Sequence, residues 1–411
     1  MLRRGRVPVL LALVCGVAVL SAQRAPLSNP ILILVSFDGW RYDYIDRLPA
    51  PNLRALAARG ARAKAMIPSF PTLTFPNHYT IVTGLYPAHH GIVANVMTDA
   101  SIGARFTMSA ETARDPRWWG GQPLWVTAIA QGRRAAAMFW PGTEVEIQGV
   151  RPTYWTPYAK PITSYDRARR VVEWLSLPEA ERPSFITVYF DEVDTAGHDY
   201  GVDTPELSAA AEHLDDSLGQ MIAGVHALGL DDRTTFVVVS DHGMTPLSMD
   251  RVIYFDDYVD PETVDMLELH GFLALAPEDA DANALYRELH GKHPALAVYK
   301  RDQTPARLHY RGNPRIAPIV AIPREGWAAT THQRLQERPL QSATHGFDPH
   351  DRSMGALFVA AGPEIRSGVV LEPFENVNVY NFMCAVLRLR PAKNDGGSLL
   401  TGLLLRPTGG R

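Results

Sequence analysis

Residues 31–38 read Ile-Leu-Ile-Leu-Val-Ser-Phe-Asp, a largely apolar run that ends in a carboxylate. Three further runs have the same character: Phe185–Phe190 leads into Asp191–Asp194, Thr235–Ser240 leads into Asp241-His242, and Ala356–Ala361 closes the series. Continuous runs of Val, Ile, Leu and Phe are typical of strands that are buried on both faces of a mostly parallel sheet. We therefore expect these four runs to form the centre of such a sheet.

Helical patterns lie between these runs. Apolar residues recur at three- and four-residue spacing in Leu53–Arg59, Tyr165–Leu177 and Pro205–Leu228. The alternation of strands and helices predicts an α/β fold with a central sheet flanked by helices. Ligands of such sheets bind beyond the carboxyl ends of the strands. Since three of the four runs lead into Asp or His, the sequence predicts one polar site at that edge.

Composition and length limit the alternatives. The chain has 411 residues, of which 46% are hydrophobic and 20% charged, and its formal net charge is −4. This charge gives no reason to expect binding to a nucleic-acid duplex. No clear linker interrupts the chain, so we predict a single domain over residues 30–405. Two less regular stretches, around 95–160 and 244–345, are interpreted as insertions that cap or flank the site.

The N-terminus has the pattern of a secretory signal. Three arginines within residues 3–6 precede the apolar run Val7–Leu20, and the small residues Ser21 and Ala22 follow. This arrangement predicts a cleaved signal peptide over residues 1–22. An uncleaved anchor is the alternative, but the apolar run is shorter than the ~20 residues of a spanning helix. We therefore expect a periplasmic or secreted protein with no stable membrane anchor after cleavage.

Cysteine usage favours one of these compartments. Cys15 lies in the predicted signal, which leaves Cys384 as the one cysteine of the mature chain. No intramolecular disulfide can form after cleavage. Because disulfides are common in animal extracellular proteins, this composition fits a bacterial periplasm better. Cys384 lies in an apolar helical run, where we expect a small core residue.

Six residues near the strand ends are candidate metal ligands. Zinc takes imidazole nitrogen and carboxylate oxygen in near-tetrahedral sites. Each short motif alone also fits a hydrogen-bonding role in a loop. Their recurrence at the ends of successive strands leaves a binuclear metal site and a set of polar loops equally open. The candidates are Asp38, Asp194, His198, Asp241, His242 and His345.

Thr74 is the candidate nucleophile, in the segment Pro-Thr-Leu-Thr-Phe-Pro-Asn-His at residues 71–78. Pro76 suits the first turn of a helix that continues through Tyr79–Thr83. Thr74 could simply cap that helix. Alternatively, its hydroxyl faces the metals and the helix N-terminus faces a phosphate. Coordination to a metal would make the alkoxide accessible, since an unaided threonine hydroxyl is a poor nucleophile.

At these residues the sequence resembles the nucleotide pyrophosphatase/phosphodiesterase family of the alkaline phosphatase superfamily. The resemblance runs in order from about Ile31 to about Leu389 and implies a three-layer alkaline-phosphatase-like core with capping insertions. Besides the Asp194/His198 segment, the motifs that carry it are Thr74–Tyr79, Val82–Pro87, His89–Asn95, Trp118–Trp125, Phe139–Gly142, Ser240–Met244 and His345–Asp348.

The resemblance also implies two Zn²⁺ ions and a role for each ligand. One zinc would be held by Asp194, His198 and His345 and would carry the hydrolytic water. The other would be held by Asp38, Asp241 and His242 and would bind Thr74. Thr74 would attack the phosphorus and form a phosphothreonine-type intermediate, while Asn95 would hydrogen-bond a non-bridging phosphoryl oxygen. Manganese or iron could occupy the same ligands.

The expected substrates are small-molecule nucleotides, whose phosphodiester or pyrophosphate bonds would be cleaved to release nucleoside 5′-monophosphates. The resemblance places Phe75 and Tyr158 as a slot around the nucleobase, with Tyr189 lining the pocket; core aromatics are the alternative for all three. A diesterase is favoured over a monoesterase because no arginine lies near Thr74 in sequence.

Two other functions stay open at this stage. The first is hydrolysis of lysophospholipid or choline phosphodiesters, because family members with that activity share the metal core. The second is a catalytically silent binding protein, which the complete ligand set disfavours. The sequence predicts no particular oligomeric state.

Overall fold

The structure is a computed structural model that describes residues 29–269, 271–277 and 281–406. The predicted signal peptide, residues 1–22, lies outside the described residues. In chain order the strands are β1 (Ile31–Phe37), β2 (Ala61–Ala63), β3 (Met66–Ile67), β4 (Met97–Asp99), β5 (Ala104–Phe106), β6 (Ala135–Met138), β7 (Tyr154–Thr156), β8 (Phe185–Phe190), β9 (Thr234–Val239), β10 (Thr245–Pro246), β11 (Val252–Tyr254), β12 (Val264–Leu269), β13 (Leu273–Pro277), β14 (Leu296–Lys300), β15 (Ile319–Pro323), β16 (Ala328–Thr330), β17 (Ala343–Thr344), β18 (Phe358–Ala361), β19 (Val369–Leu371) and β20 (Phe374–Glu375).

The helices are α1 (Tyr44–Arg47), α2 (Pro51–Arg59), α3 (Thr74–Thr83), α4 (Pro87–His90), α5 (Ala110–Ala113), α6 (Leu124–Ala130), α7 (Ser164–Leu175), α8 (Glu192–Tyr200), α9 (Pro205–Ala227), α10 (Ala282–Leu289), α11 (His332–Glu337), α12 (Asn378–Val386) and α13 (Leu399–Leu404). Within the described ranges, none of them combines the length and the apolar character that crossing a membrane requires.

The central sheet has eight strands in the order β19-β2-β18-β9-β1-β8-β6-β7. β1 lies in the middle and pairs in parallel with β8 on one side and β9 on the other. Seven strands share one direction, and β18 runs against its neighbours β9 and β2. The mostly parallel sheet is therefore confirmed. The fourth predicted run is its antiparallel member.

Two separate cores cover the two faces of this sheet. Along β1, Leu32 and Leu34 belong to the core under α3, α6 and α12, whereas Ile33 and Val35 belong to the core under α2, α7 and α9. Side chains alternate across a strand, so a run that is apolar throughout must be covered on both faces. Burying each of these side chains contributes about 1.5–3 kcal/mol. The result is the predicted three-layer α/β/α core.

Local signals fix the ends of the flanking helices. The side chain of Thr163 caps α7 by accepting the backbone N–H of Asp166, and Thr204 caps α9 by accepting that of Leu207. Pro205 occupies the first turn of α9, where its missing N–H has no cost. These caps place the start of both helices within one residue of the predicted bounds.

The two predicted insertions differ in structure. The stretch around 95–160 is not only a cap, because it supplies β6 and β7 to the central sheet. The stretch around 244–345 builds a separate antiparallel sheet in the order β12-β13-β15-β14, with its own core around Leu275 and Ile319. The single-domain boundaries 30–405 stay a prediction.

A candidate metal centre and its pocket

The carboxyl edge of the sheet gathers all six candidate ligands. Asp38 directly follows β1, and Asp241 and His242 follow β9 after one intervening residue, Ser240. β8 leads into α8, which carries Asp194 and His198. His345 follows β17. Because β1, β8 and β9 are adjacent and parallel, the residues after them meet at one edge.

The first ligand group consists of Asp194, His198 and His345. Asp194 and His198 are four residues apart on α8 and so lie on the same face of that helix. His198 Nε2 lies 3.4 Å from Asp194 Oδ2, and His345 Nε2 lies 3.7 Å from Asp194 Oδ1. The three side chains therefore present three ligand atoms to one point.

The second group centres on His242. Its Nε2 lies 2.9 Å from Asp241 Oδ2 and 3.5 Å from Asp38 Oδ1. Asp38 and His242 also form a candidate group with Asp194, and Asp38 and Asp241 form another with His78. The six predicted residues thus make one continuous cluster. His78, on α3, also belongs to this cluster, and it was not predicted as a ligand from the sequence.

Each of the three histidine ligands is oriented by the main chain. In every case Nδ1 lies next to a backbone carbonyl, which can only accept, so Nδ1 carries the proton. Nε2 is then the ring nitrogen that faces the carboxylates, the orientation that histidine ligands have in protein metal sites. The pairs are His198 with Ala343 O at 2.9 Å, His242 with Gly243 O at 2.9 Å, and His345 with Thr72 O at 2.8 Å.

His78 differs from these three. Its Nδ1 lies 2.8 Å from Thr74 O and its Nε2 lies 2.7 Å from Ser36 Oγ. Both ring nitrogens are therefore engaged with protein groups. This arrangement favours a supporting role, in which His78 holds the first turn of α3, over a role as a ligand.

Three buried carboxylate oxygens at the centre accept no hydrogen bond from the described residues: Asp38 Oδ1, Asp194 Oδ1 and Asp241 Oδ2. Burial and the neighbouring Asp241 carboxylate raise the pKa of Asp38 well above its usual value. Buried polar atoms without partners are rare in folded proteins. Divalent cations would supply the missing partners and offset the repulsion between the carboxylates, so the residues present fit a metal centre.

Gly39 lets the end of β1 approach α8 closely. It adopts a left-handed conformation with φ +67°, and a Cβ atom there would lie 2.9 Å from the Cα of Asp194. Its N–H donates to Asp241 Oδ1 at 3.2 Å. Glycine suits this position because only glycine combines this φ with the absence of a side chain.

Thr74 is the first residue of α3, and Leu73 occupies the N-cap position in an extended conformation. The capping interpretation of Thr74 is therefore wrong. Its hydroxyl Oγ1 lies 3.5 Å from His242 Nε2, at the edge of the second ligand group. The helix start thus places Thr74 beside the candidate metal centre, and its role as nucleophile stays a prediction.

Asn95 lies beside Thr74. Its Oδ1 accepts the backbone N–H of Phe75 at 3.0 Å, which leaves the NH₂ group as the free end of the side chain. Glu268 on β12 contacts the loop that carries Asn95: its side chain accepts the N–H of Val96 at 2.8 Å. Glu268 was not predicted from the sequence, because it lies 172 positions from Val96 with no local motif to mark it.

A cavity of about 390 Å³ opens beside the metal centre. Asp38, Thr74 and Asp194 line one end. The three predicted substrate-binding rings, Phe75, Tyr158 and Tyr189, all line this cavity. Its other aromatic walls are Trp119, Phe139 and Trp140. The cavity is thus continuous from candidate ligands to an aromatic cleft.

Tyr189 has a second contact besides lining the cavity. Its hydroxyl donates to Asp38 Oδ2 at 2.6 Å, which fixes the orientation of a candidate ligand. Hydrogen-bond partners of ligands tune both the geometry and the affinity of metal sites. Tyr189 therefore connects the aromatic cavity to the metal centre.

Several charged residues of the cavity were missed in sequence: Arg114, Glu144, Lys160 and Asp191. Arg114 comes from a distant segment, but its guanidinium pairs with Glu144 at 2.6 Å. Asp191 pairs with the buried Arg167 at 2.9 Å. Asp191 directly follows β8, a position that could have marked it, whereas nothing local marks Arg114.

Comparison with known proteins identifies the family. The family model described as type I phosphodiesterase / nucleotide pyrophosphatase matches residues 32–348. The chain belongs to this family. The resemblance carried by the sequence motifs is thereby confirmed, as is the alkaline-phosphatase-like fold.

Family relatives match most of this chain. A venom phosphodiesterase of Crotalus durissus collilineatus is 39% identical over 382 residues, which is 90% of this chain and 46% of the relative. An uncharacterised pyrophosphatase/phosphodiesterase of Schizosaccharomyces pombe is 38% identical, over 91% of this chain and 80% of the relative. The chain spans about half the length of the venom relatives it matches.

Among solved structures, murine ectonucleotide pyrophosphatase/phosphodiesterase 5 superimposes with a TM-score of 0.87 at 32% identity. The match covers 92% of this chain and all of the murine chain. That structure is an inactive variant, in which a threonine is replaced by alanine, in complex with AMP.

Proposed function

We propose that this protein is a zinc-dependent phosphodiesterase that hydrolyses nucleotide phosphodiester and pyrophosphate bonds and releases nucleoside 5′-monophosphates. One observation carries the proposal: a cluster of three carboxylates and three histidines, whose Nε2 atoms face the carboxylates, adjoins an aromatic cavity, with Thr74 beside it. The activities after which the family and its venom relatives are named support it. So does the AMP complex of the murine neighbour.

Two zinc ions suit the ligand set. Asp194, His198 and His345 would hold one, and Asp38, Asp241 and His242 together with Thr74 would hold the other. Mixed imidazole and carboxylate ligation is typical of zinc. Bound there, zinc would act as a Lewis acid and neutralise negative charge on the phosphate.

Thr74 is the proposed nucleophile. Its Oγ1 forms a bond to phosphorus while the bond from phosphorus to the leaving oxygen breaks, and the hydroxyl proton is lost to solvent. Water then cleaves the phosphothreonine and returns Thr74 to its free form. The inactivity of the murine threonine-to-alanine variant supports a threonine in this role.

Asn95 would bind the non-bridging phosphoryl oxygen. Its carboxamide oxygen is held by Phe75 N–H, so its NH₂ group is oriented before substrate arrives. Preorganised donors stabilise charge that develops in a transition state without a reorganisation cost. The N-terminus of α3 would favour the same negative charge.

The aromatic cavity favours a nucleobase over a choline headgroup. Phe75 and Tyr158 offer planar surfaces for stacking. A quaternary ammonium would be attracted by free carboxylates near the rings, but Glu144 and Asp191 are each paired with an arginine. The charge of these two carboxylates is thereby offset, so they would attract a choline group less than free carboxylates would.

Three substrates separate the candidate activities. We expect the highest kcat/KM for the nitrophenyl ester of thymidine 5′-monophosphate, compared with nitrophenyl phosphorylcholine and nitrophenyl phosphate. Faster turnover of the choline ester would overturn the nucleotide assignment, and faster turnover of the monoester would overturn the diesterase assignment.

The covalent step has its own test. Thr74→Ala should abolish turnover while retaining bound zinc, and the matched Thr74→Ser variant, which keeps a hydroxyl, should retain part of it. Wild-type kcat in Thr74→Ala would exclude the phosphothreonine. Zinc content measured by atomic absorption distinguishes loss of the nucleophile from loss of the metal centre.

We also propose that the protein is exported and acts in the periplasm or outside the cell. The N-terminal pattern of residues 1–22 supports export, as does the occurrence of relatives in venom. Size comparison of the cell-associated and exported protein tests it: a mature chain that retains residues 1–22 would contradict cleavage.

A further inference from the structure

Tyr158 is a half-exposed aromatic residue in a loop, so packing alone does not fix its ring. Its relative exposure is 43%, and it follows the short edge strand β7. A mobile ring makes a poor binding surface, because ordering it on binding costs conformational entropy. If Tyr158 forms one wall of the substrate cavity, something else must hold it in place.

Two carboxylates hold Tyr158 at opposite ends. Its hydroxyl donates to Asp191 Oδ2 at 3.0 Å, and its backbone N–H donates to Glu144 Oε1 at 2.8 Å. The ring packs edge-on against Phe139, with 5.1 Å between centroids. Its position is thus set by hydrogen bonds to charged groups, which are stronger than those between neutral groups.

Asp191 is in turn held by a buried arginine. The other carboxylate oxygen, Oδ1, accepts from Arg167 Nη1 at 2.9 Å, and the Arg167 side chain is 3% exposed. The same guanidinium donates to the carbonyl of Tyr189 at 2.9 Å and lies 5.0 Å from the Phe139 ring centre. Arg167 therefore contacts three residues that line the cavity, namely Asp191, Tyr189 and Phe139.

We propose that Asp191, held by Arg167, is a positioning residue that fixes the Tyr158 ring and thereby sets the preference for diesters that carry a nucleobase. This inference rests on the proposed function, since it assigns Tyr158 to the base. Arg167 lies on α7, a helix of the rigid outer layer, and Asp191 is the N-cap residue of α8. The Tyr158 ring is therefore held by residues of α7 and of the start of α8, and not only by the loop that carries it.

The decisive variant is Tyr158→Phe, which keeps the ring and removes only the hydroxyl that Asp191 holds. We expect KM for the nitrophenyl ester of thymidine 5′-monophosphate to rise about fivefold, the effect of one hydrogen bond, with kcat within about twofold of wild type. The matched control is Tyr165→Phe, which makes the same change at a surface tyrosine whose hydroxyl lies 3.5 Å from Asp216. That control should leave both constants unchanged.

A base-free diester, methyl nitrophenyl phosphate, separates positioning from general damage. The ratio of kcat/KM for the nucleotide ester to that for the base-free diester should fall in Tyr158→Phe and in Asp191→Ala. The double variant should be no worse than Asp191→Ala, because both changes break the same contact. Zinc content should stay at the wild-type level in all of them.

Three results would overturn the inference: a wild-type KM in Tyr158→Phe, independent and additive effects of the two substitutions, or an equal loss on both substrates. Failure of the proposed function is distinguishable. It would show in the wild-type enzyme, as equal turnover of the nucleotide ester and the base-free diester before any residue is changed.

Discussion

Replacement of Glu268 by glutamine should stabilise the protein at pH 8 and leave its stability nearly unchanged at pH 4.5. Glu268 lies beneath the Asn95 loop and accepts the N–H of Val96. Burial raises the pKa of Glu268 to about 7 from its usual 4.5, although hydrogen bonds from the loop and the nearby Arg105 and Arg334 act in the opposite direction.

The sign and size of the expected change in the free energy of unfolding follow from the linkage between ionisation and folding. The folded state binds the proton more tightly than the unfolded chain, so the protonated carboxyl contributes stability fully below pH 4.5. That contribution is lost as the pH rises to about 7. A difference of about 2.5 pKa units corresponds to about 3 kcal/mol. Glutamine has the shape of the protonated acid and cannot ionise, so Glu268→Gln removes this dependence.

The assay is urea unfolding followed by tryptophan fluorescence at several pH values between 4.5 and 8, with zinc held constant. Other groups that titrate in this range cancel in the difference between variant and wild type if they do not contact Glu268. Glu262→Gln is the control, since it makes the same chemical change at an exposed position of the same insertion. A difference that is constant across the pH range, or a less stable variant at pH 8, would contradict a raised pKa of Glu268 in the folded protein.

Three further changes test the metal centre and the core. Tyr189→Phe removes the hydrogen bond to Asp38, so zinc affinity should fall about tenfold in a competition assay with a fluorescent chelator; unchanged affinity would exclude a role for the hydroxyl at the metal. Gly39→Ala should prevent assembly of the centre, because its Cβ would lie 2.9 Å from the Cα of Asp194, and wild-type zinc content in a folded variant would contradict this. Leu34→Ala deletes a fully buried side chain of β1 and should lower the free energy of unfolding by about 2–5 kcal/mol, measured by urea denaturation. A loss below about 1 kcal/mol would mean that the core under α3, α6 and α12 does not depend on β1 as described.

The strands that the sequence predicted well are those buried on both faces. β1 and β8 have the predicted bounds, because their apolar runs are continuous and each leads directly into an aspartate. β6 was missed, since its sequence Ala-Ala-Ala-Met has little β propensity, and its place between β8 and β7 depends on tertiary contacts. β7, Tyr-Trp-Thr, has high β propensity but was missed because it is only three residues long and lies at the edge of the sheet. The sequence therefore predicted the middle of the sheet better than its edge.

The candidate site divides in the same way. The candidate metal ligands follow strands or share a helix turn, so short motifs marked them before the structure brought them together. The partners that hold the cavity have no such motif. Arg114 lies 30 positions from Glu144, and Arg167 lies 24 from Asp191. Only the folded chain shows that these four residues form two ion pairs around Tyr158.

The two parts of the candidate site are held by different kinds of contact. The three histidine ligands are oriented by backbone carbonyls, those of Ala343, Gly243 and Thr72, which are present whatever side chain those positions carry. The wall of the cavity is held instead by side-chain ion pairs, which a single substitution breaks. Substrate preference can therefore vary by exchange of side chains such as Asp191 or Glu144 while the metal centre keeps its geometry. The same candidate metal centre is compatible with a cavity for a nucleobase and with a cavity for another substituent. In our proposal, the residues that hold Tyr158 determine which substituent is preferred.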